Sequence, residues 1–200
     1  MKQNFETIMS EIFASEGGYV DHPKDPGGAT NLGITRRTLA AWRGIVPFSN
    51  LPKSEVKNLS KKEALSIYAK EYWQKVRGDD LPTGVDGFVM DFGVNSGPSR
   101  SIKGLQTVVG VPADGVIGPL TLEAVRKADP LKIVDDLYAY RMQFLRSLGT
   151  WSTFGRGWKA RVDKIHRLSR NLIGFKTPHL EKKTNLLDLL IKIILKLIGK

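Results

Sequence analysis

The sequence predicts a single, mainly helical domain with one small β-hairpin. Most segments carry apolar residues three and four positions apart, the spacing of one face of a helix, as in Phe5, Ile8, Met9, Ile12 and Phe13. Several of these segments begin at residues that favour helix starts, and the signals for extended chain are confined to residues 19–35. With 41% hydrophobic and 26% charged residues, a chain of 200 residues can bury a substantial core.

The first helix is expected over residues 4 to about 16, and its apolar stripe continues onto an ionisable side chain. Glu16 lies three and four residues after Phe13 and Ile12, and two glycines then end the helix. A carboxyl group placed there loses hydration and lies at the negative end of the helix dipole, and both effects favour its protonated form. Glu16 is therefore a candidate general acid. The alternative is an exposed glutamate at a frayed helix end.

The turn that follows is expected to bring two more polar groups back to Glu16. Residues 26–28 are Pro-Gly-Gly, which predicts a hairpin or compact loop folded over the helix end, with Asp25 and Thr30 near the acid. Two carboxyl groups and a hydroxyl can flank a glycosidic bond. One protonates the leaving oxygen, and the others position water or stabilise positive charge on the sugar.

The run Glu-Gly-Gly-Tyr-Val-Asp at 16–21, followed by Asp-Pro-Gly-Gly-Ala-Thr-Asn-Leu-Gly-Ile-Thr at 25–35, resembles a family signature. It is similar to that of glycoside hydrolase family 108, the phage and bacterial muramidases that cleave peptidoglycan. The resemblance implies a lysozyme-like fold with Glu16 as the catalytic acid. Asp25 keeps the nine-residue spacing of T4-type phage lysozymes, but Thr30 follows after five residues instead of six, so the roles of Asp25 and Thr30 are less firmly implied. Tyr19 and Asn31 in the same run are candidate substrate-binding residues.

Composition restricts the partners. The 31 basic and 20 acidic residues give a net charge of +11, which indicates an anionic partner. We expect a cell envelope and no nucleic acid, because no nucleic-acid-binding motif is found. Without cysteine, and with three histidines outside any metal-ligand spacing, we expect no metal and no cofactor.

No apolar signal segment precedes the first helix. We expect a monomer made in the host cytoplasm that acts on the wall in the periplasm, or from outside when added.

Residues 36–76 are expected to form two helices separated by a loop. Thr35 is predicted to cap a helix from 36 to about 43, and residues 44–59 are predicted to be loop. A capping box at 60–63 opens a helix to about 76. Its aromatic residues are expected in the core or in the wall of a cleft, and Tyr72 and Trp73 are candidates to present a ring face to sugar.

Residues 85–172 are predicted to be helical. Helices are expected over 85–94, from Pro98 to about 109, from Pro119 to about 128, from Pro130 to about 148, and from about 158 to 172. The motifs at 91–98 and 114–119 resemble the predicted peptidoglycan-binding segment that accompanies the family 108 signature, although turn chemistry alone accounts equally well for their residues. Asp91 and Asn95 are one helical turn apart and are candidate cleft residues.

The C-terminal tail differs in composition from the rest. We expect a lysozyme-like domain over 1–175, with a catalytic part at 1–76 and a helical peptidoglycan-binding part at 85–172, then a linker over 176–184 and an amphipathic helix over 185–200. The tail helix would carry a polar stripe with Lys192, Lys196 and Lys200, and a wide aliphatic face with Leu190 and Ile194. It resembles a cationic antimicrobial peptide, which would bind an anionic membrane or lipopolysaccharide surface. The alternative is packing on the body or self-association.

The predicted function is that of an endolysin, which hydrolyses the β-1,4 bond between N-acetylmuramic acid and N-acetylglucosamine in bacterial peptidoglycan. One alternative is a lytic transglycosylase, in which a muramic acid hydroxyl replaces water at the same bond. The other is a wall-binding or membrane-binding module without catalysis.

Overall fold

The computed structural model describes residues 2–15, 18–21 and 28–176 of the chain. Over these residues the protein is mainly helical with a two-stranded antiparallel sheet, which confirms the predicted fold class. The elements are α1 Lys2–Ser15, β1 Thr30–Asn31, β2 Ile34–Thr35, α2 Arg36–Trp42, α3 Lys53–Lys57, α4 Lys61–Tyr68, α5 Val85–Ser96, α6 Pro98–Val108, α7 Pro119–Lys127, α8 Pro130–Arg146 and α9 Trp151–Lys176. The predicted tail helix over 185–200 and nearly all of its linker lie outside the described residues.

Most helices begin where local signals predict. The side chains of Thr35, Ser60 and Asp129 each accept a hydrogen bond from a backbone N–H in the first turn of α2, α4 and α8. Helices α6, α7 and α8 have proline at their start. Each of these caps satisfies or removes an N–H that the helix cannot pair internally.

Helix α9 begins at Trp151, seven residues before its predicted start. The added first turns contain Gly155 and Gly157, although glycine disfavours a helix interior. The structure shows why glycine occurs at 155: a Cβ there would lie 2.6 Å from Cδ2 of the Trp151 indole. The indole of Trp151 therefore lies against its own helix, which a larger residue at 155 would prevent.

Residues 44–76 are less regular than predicted. The expected loop contains a 3₁₀ turn over Phe48–Asn50 and the short helix α3. The expected helix over 60–76 is α-helical only as far as Tyr68 and continues as a π turn over Ala69–Trp73. We call residues 28–76 the hairpin region and residues 85–176 the helical body.

The core is centred on α5, which is buried over Val85–Gly93 and contacts α1, α6, α8 and α9. Helix α1 packs along it through a hydrogen bond from Asn4 Nδ2 to Asp86 Oδ2 (2.9 Å). A Cβ at Gly87 would lie 2.8 Å from Ile8 Cδ1, so glycine allows the two helices to approach closely. No helix in the described part of the chain is both long enough and apolar enough to cross a membrane.

Candidate active site

The C-terminal end of α1 is fixed by its packing on α5. Asn4 bonds Asp86, Ile8 packs on Gly87, and Ile12 lines a cavity of about 10 Å³ together with Asp91. Contacts therefore advance along both helices in the same direction, and α1 ends beside the second half of α5. The predicted acid Glu16 follows Ser15, the last residue of α1, and lies outside the described residues.

A backbone bridge joins the residues on either side of the predicted loop. Val20 and Thr30 exchange two hydrogen bonds, with N···O distances of 2.9 and 2.7 Å. Thr30 also pairs with Thr35 across the β1–β2 hairpin. Val20 is five residues beyond Ser15, the last residue of α1. Asp25 lies within residues 22–27, which the structure does not describe, so the approach of Asp25 and Thr30 to Glu16 stays a prediction.

The Thr30 hydroxyl is only weakly engaged by the residues that the structure describes. It donates to the Gly28 carbonyl at 3.4 Å, a long distance for a hydroxyl donor. Directly paired residues in an antiparallel ladder share a face, so Thr30 and Thr35 point to the same side. The Thr35 hydroxyl contacts the Thr38 hydroxyl at 2.9 Å. A row of hydroxyl groups therefore leads from the hairpin onto α2.

Two candidate binding residues of the signature differ in their surroundings. Asn31 Nδ2 donates to the carbonyls of Val56 and Lys57 at 3.0 and 2.9 Å, so both of its N–H groups hold the end of α3. These bonds give Asn31 a structural role and use its donors, and its predicted substrate-binding role stays a prediction. Tyr19 is partly buried against the core, and its predicted role remains a prediction.

The π turn separates the two candidate aromatic residues. Trp73 is 5% exposed, its ring packs edge-on against Phe5 at 5.3 Å, and a Cβ at Gly78 would lie 2.4 Å from its indole. The prediction that Trp73 presents a ring face to sugar is therefore wrong. Tyr72 is only partly buried. Burial, and to a smaller extent the charge of Glu71, raises the pKa of the Tyr72 hydroxyl, which therefore stays a hydrogen-bond donor at neutral pH.

Tyr72 lines an open pocket of about 400 Å³ between α2, the π turn and the start of α6. We call it the proximal pocket; it is lined by Arg37, Thr38, Ala41, Trp42, Glu71, Tyr72, Lys75 and Pro98. Thr38 connects this pocket to the row of hydroxyl groups at the hairpin. An aromatic ring, hydroxyls and charged groups around a pocket of this size suit a sugar ring, which needs both an apolar face and hydrogen-bonding partners.

Asp91 does not face a cleft, contrary to the prediction. It is 3% exposed and forms ion pairs with Arg141 (2.7 Å) and Arg161 (3.0 Å) inside the helical body. The physical reason is that Arg141 is itself buried, between the rings of Phe88 and Phe92, and needs a counter-charge. Burial lowers the pKa of Arg141, and the Asp91 carboxylate opposes that effect.

Asn95 remains a surface residue one turn further along α5. Its side chain is exposed, and Oδ1 accepts a hydrogen bond from Arg141 Nη2 at 3.2 Å. Asn95 therefore joins the buried ion pair to the surface near the end of α5, and its predicted binding role stays a prediction.

The second peptidoglycan-binding motif is explained by turn chemistry. Gln106, which is 1% exposed, donates through Nε2 to Asp114, Val116 and Thr121, and accepts from the Gly115 N–H at 2.8 Å. Gly115 has φ of +85°, a conformation that favours glycine. These contacts account for the Asp and Gly of the motif without any ligand.

The ion-pair partners of Asp91 and most residues of the proximal pocket were not predicted from the sequence. Arg141 could have been found, because it continues the buried stripe of Ile133 and Leu137 at a spacing of four, which places a charge on the apolar face of α8. Arg37, Thr38 and Trp42 gave no such signal, since they are brought together with Tyr72 only by the packing of α2 on the π turn.

Comparison with known proteins gives two matches. The glycosyl hydrolase 108 family model matches residues 9–97, which include the end of α1, the hairpin region and α5. The solved structure of Brucella abortus SagA is 51% identical to this chain and covers 86% of it and 97% of its own length, with a TM-score of 0.78. No curated protein sequence matches significantly.

Proposed function

Because the chain belongs to the glycosyl hydrolase 108 family, we propose that it hydrolyses the β-1,4 bond between N-acetylmuramic acid and N-acetylglucosamine in bacterial peptidoglycan, with Glu16 as general acid. The chain is a glycoside hydrolase, and its family supports a lysozyme-like action on peptidoglycan. The observation that supports the finer proposal is the Val20–Thr30 bridge, which pairs the two parts of the signature, with Val20 five residues after Ser15.

Glu16 is proposed as the acid because of where α1 ends. The last carbonyl groups of a helix lack internal partners, and the helix dipole is negative there, so a carboxyl group in the next residue is favoured in its protonated form. In the proposed step this proton passes to the glycosidic oxygen as the bond from that oxygen to C1 of muramic acid breaks.

Asp25 and Thr30 are proposed to act on the other side of the scissile bond. A water molecule adds to C1 and gives up its proton, and the Thr30 hydroxyl, which has only a long contact to Gly28, is available to orient that water. Asp25 would accept the proton or stabilise positive charge on the sugar. A separation of about 5 Å between the two carboxyl groups would give retention, and roughly 6.5 to 9.5 Å would give inversion.

The test is digestion of purified cell walls by the wild-type protein and by Glu16→Gln, with the products identified by mass. We expect the substitution to reduce the rate roughly 100- to 10,000-fold, the usual contribution of general acid catalysis. Glu6→Gln is the matched control, since Glu6 is an exposed residue of the same helix and undergoes the same chemical change.

Two results would contradict the proposal. Full activity of Glu16→Gln would point to a wall-binding module or to a different acid. Products that end in anhydromuramic acid would identify a lytic transglycosylase, because water then takes no part in the reaction.

For the tail, we propose that residues 185–200 act on an anionic membrane or lipopolysaccharide surface and give the enzyme access to the wall. The support is the sequence pattern alone, with lysines on one stripe and aliphatic residues on the rest. Truncation after Phe175 should leave digestion of purified walls unchanged and abolish killing of intact cells. Equal killing by the full-length and truncated proteins would contradict the membrane role.

A further inference from the structure

A second pocket lies on the other side of Pro98 from the proximal pocket. This distal pocket has a volume of about 580 Å³, and its lining includes Arg100, Lys103, Tyr140 and Phe144. Pro98 lines both pockets. The two pockets therefore adjoin at the start of α6, and we call them together the track, from α2 and the π turn to α8.

Each pocket contains an arginine stacked on an aromatic ring. The Arg37 guanidinium carbon lies 4.4 Å from the centre of the Phe48 ring, and that of Arg100 lies 4.2 Å from the centre of the Phe144 ring. Stacking holds the guanidinium plane while its N–H groups stay at the edges, in the fork geometry that binds a carboxylate through two hydrogen bonds. Within the described residues, neither arginine forms an ion pair.

Some other arginines of the protein are engaged internally. Arg43 pairs with Glu55 and Glu63, and Arg141 pairs with Asp91. Arg37 and Arg100 differ from these in lying against an aromatic ring in the lining of an open pocket, where an external anion can reach them.

The charge of the track is positive. Among the described residues, no carboxylate lines the distal pocket, and the one that lines the proximal pocket, Glu71, forms an ion pair with Lys75. Asp114 attracts Lys103 electrostatically, which leaves Arg100 as the strongest anchor of the distal pocket. A ligand bound along the track would thus contact aromatic rings and two arginine side chains, Arg37 in the proximal pocket and Arg100 in the distal pocket.

We propose that this track binds carboxylate groups of the wall polymer, with Arg100 as the principal anchor. The inference rests on the proposed function, because it assigns the track to the same polysaccharide. Peptidoglycan carries carboxylates from two sources, the peptide stems and, once a stem is removed, the lactyl group of muramic acid. Recognition of either would distinguish this polymer from an uncharged glycan such as chitin.

The experiment measures binding and hydrolysis separately for wild type, Arg100→Ala, Arg100→Lys and the control Arg126→Ala, which removes an exposed charge from α7. Binding is measured by co-sedimentation with three polymers: intact purified walls, walls from which an amidase has removed the stems, and chitin. Each variant is first checked for an unchanged thermal unfolding midpoint.

We expect Arg100→Ala to weaken binding to intact walls roughly three- to tenfold and to raise the KM with kcat unchanged, as for loss of one charge-assisted contact. Arg100→Lys should bind intact walls more weakly than the wild type but more tightly than Arg100→Ala, because lysine keeps the charge but loses the planar guanidinium group. If Arg100→Ala no longer weakens binding once the stems are removed, the stem carboxylates are the ligands. If it still weakens binding to stem-free walls, the lactyl carboxylate is the ligand.

The inference would be overturned if Arg126→Ala weakened wall binding as much as Arg100→Ala, since net charge alone would then decide binding. It would also be overturned if Arg100→Ala weakened binding to chitin equally, since contacts to the sugars alone would then decide it. Because co-sedimentation needs no catalysis, a protein that binds walls through Arg100 but releases no products would refute the proposed function and leave the track intact.

Discussion

The helical body and the hairpin region use their polar side chains in different ways. In the helical body, long helices pair most of their own backbone groups, and buried polar side chains pair with one another, as Arg141 does with Asp91. In the hairpin region, polar side chains donate mainly to backbone carbonyls, as in Asn31 to Val56 and Lys57, Arg36 to Ser49 and Leu51, and Tyr68 to Leu32.

Element length explains the contrast. A helix leaves up to four carbonyls unpaired at its end whatever its length, so the seven residues of α2 and the five of α3 leave most of their carbonyls without partners inside the helix. Side chains then supply the missing donors. Loss of a side chain should therefore leave a buried charge without a counter-charge in the helical body, but only a neutral carbonyl without a donor in the hairpin region.

The largest effect is expected for Asp91→Asn in the helical body. It removes the counter-charge of Arg141, a guanidinium that is 1% exposed, and should lower the free energy of unfolding by about 3–5 kcal/mol. Urea denaturation followed by circular dichroism measures this. Asp136→Asn is the control, because it breaks an exposed pair with Lys132 and should cost less than about 0.5 kcal/mol. Equal losses for the two variants would mean that the burial of the Asp91 pair has no energetic consequence.

A smaller effect is expected for Asn31→Ala in the hairpin region. Two carbonyls at the end of α3 lose their donor, which should cost about 1–2 kcal/mol of unfolding free energy. The KM for walls should not change at temperatures where the variant is folded, because Asn31 holds α3 and not the substrate. Asn50→Ala removes a longer contact, 3.4 Å to the Val46 carbonyl, and serves as control. A raised KM with unchanged stability would restore the substrate-binding role.

The same contrast shows which features the sequence could predict. Helix starts depend on residues within one turn, so Thr35, Ser60, Asp129 and the prolines at 98, 119 and 130 indicated them correctly. The pairing of Val20 with Thr30 was also local, since only nine residues separate the two.

Features that depend on distant packing were not predictable. The π turn over Ala69–Trp73 has no local signal, and it sends Trp73 into the core while Tyr72 stays at the proximal pocket. The burial of Asp91 had no local signal either, because its partner Arg141 is 50 residues away in the sequence. The proximal pocket was not predicted, because it forms only where α2 and α6 meet the π turn.

The smallest effect is expected for the surface ion pair that links α2 to α4. Arg43 donates to both carboxylate oxygens of Glu63, at 2.8 and 2.7 Å, and each side chain is about one quarter exposed. The hydrogen bonds from Arg43 hold the pKa of Glu63 below its usual value of 4.5, with burial as the opposing effect. At pH 7, Glu63→Gln should cost about 0.5–1 kcal/mol of unfolding free energy.

The pH dependence of that cost separates the ion pair from other effects of the substitution. Because the pKa of Glu63 is lower in the folded protein than in the unfolded chain, the pair stabilises fully above pH 4.5, and its contribution is lost as pH falls through the folded pKa. Urea denaturation between pH 7 and pH 3.5 should therefore show wild type and Glu63→Gln converging in acid. A difference that stays constant with pH would mean that side-chain packing, and not charge, connects α4 to α2.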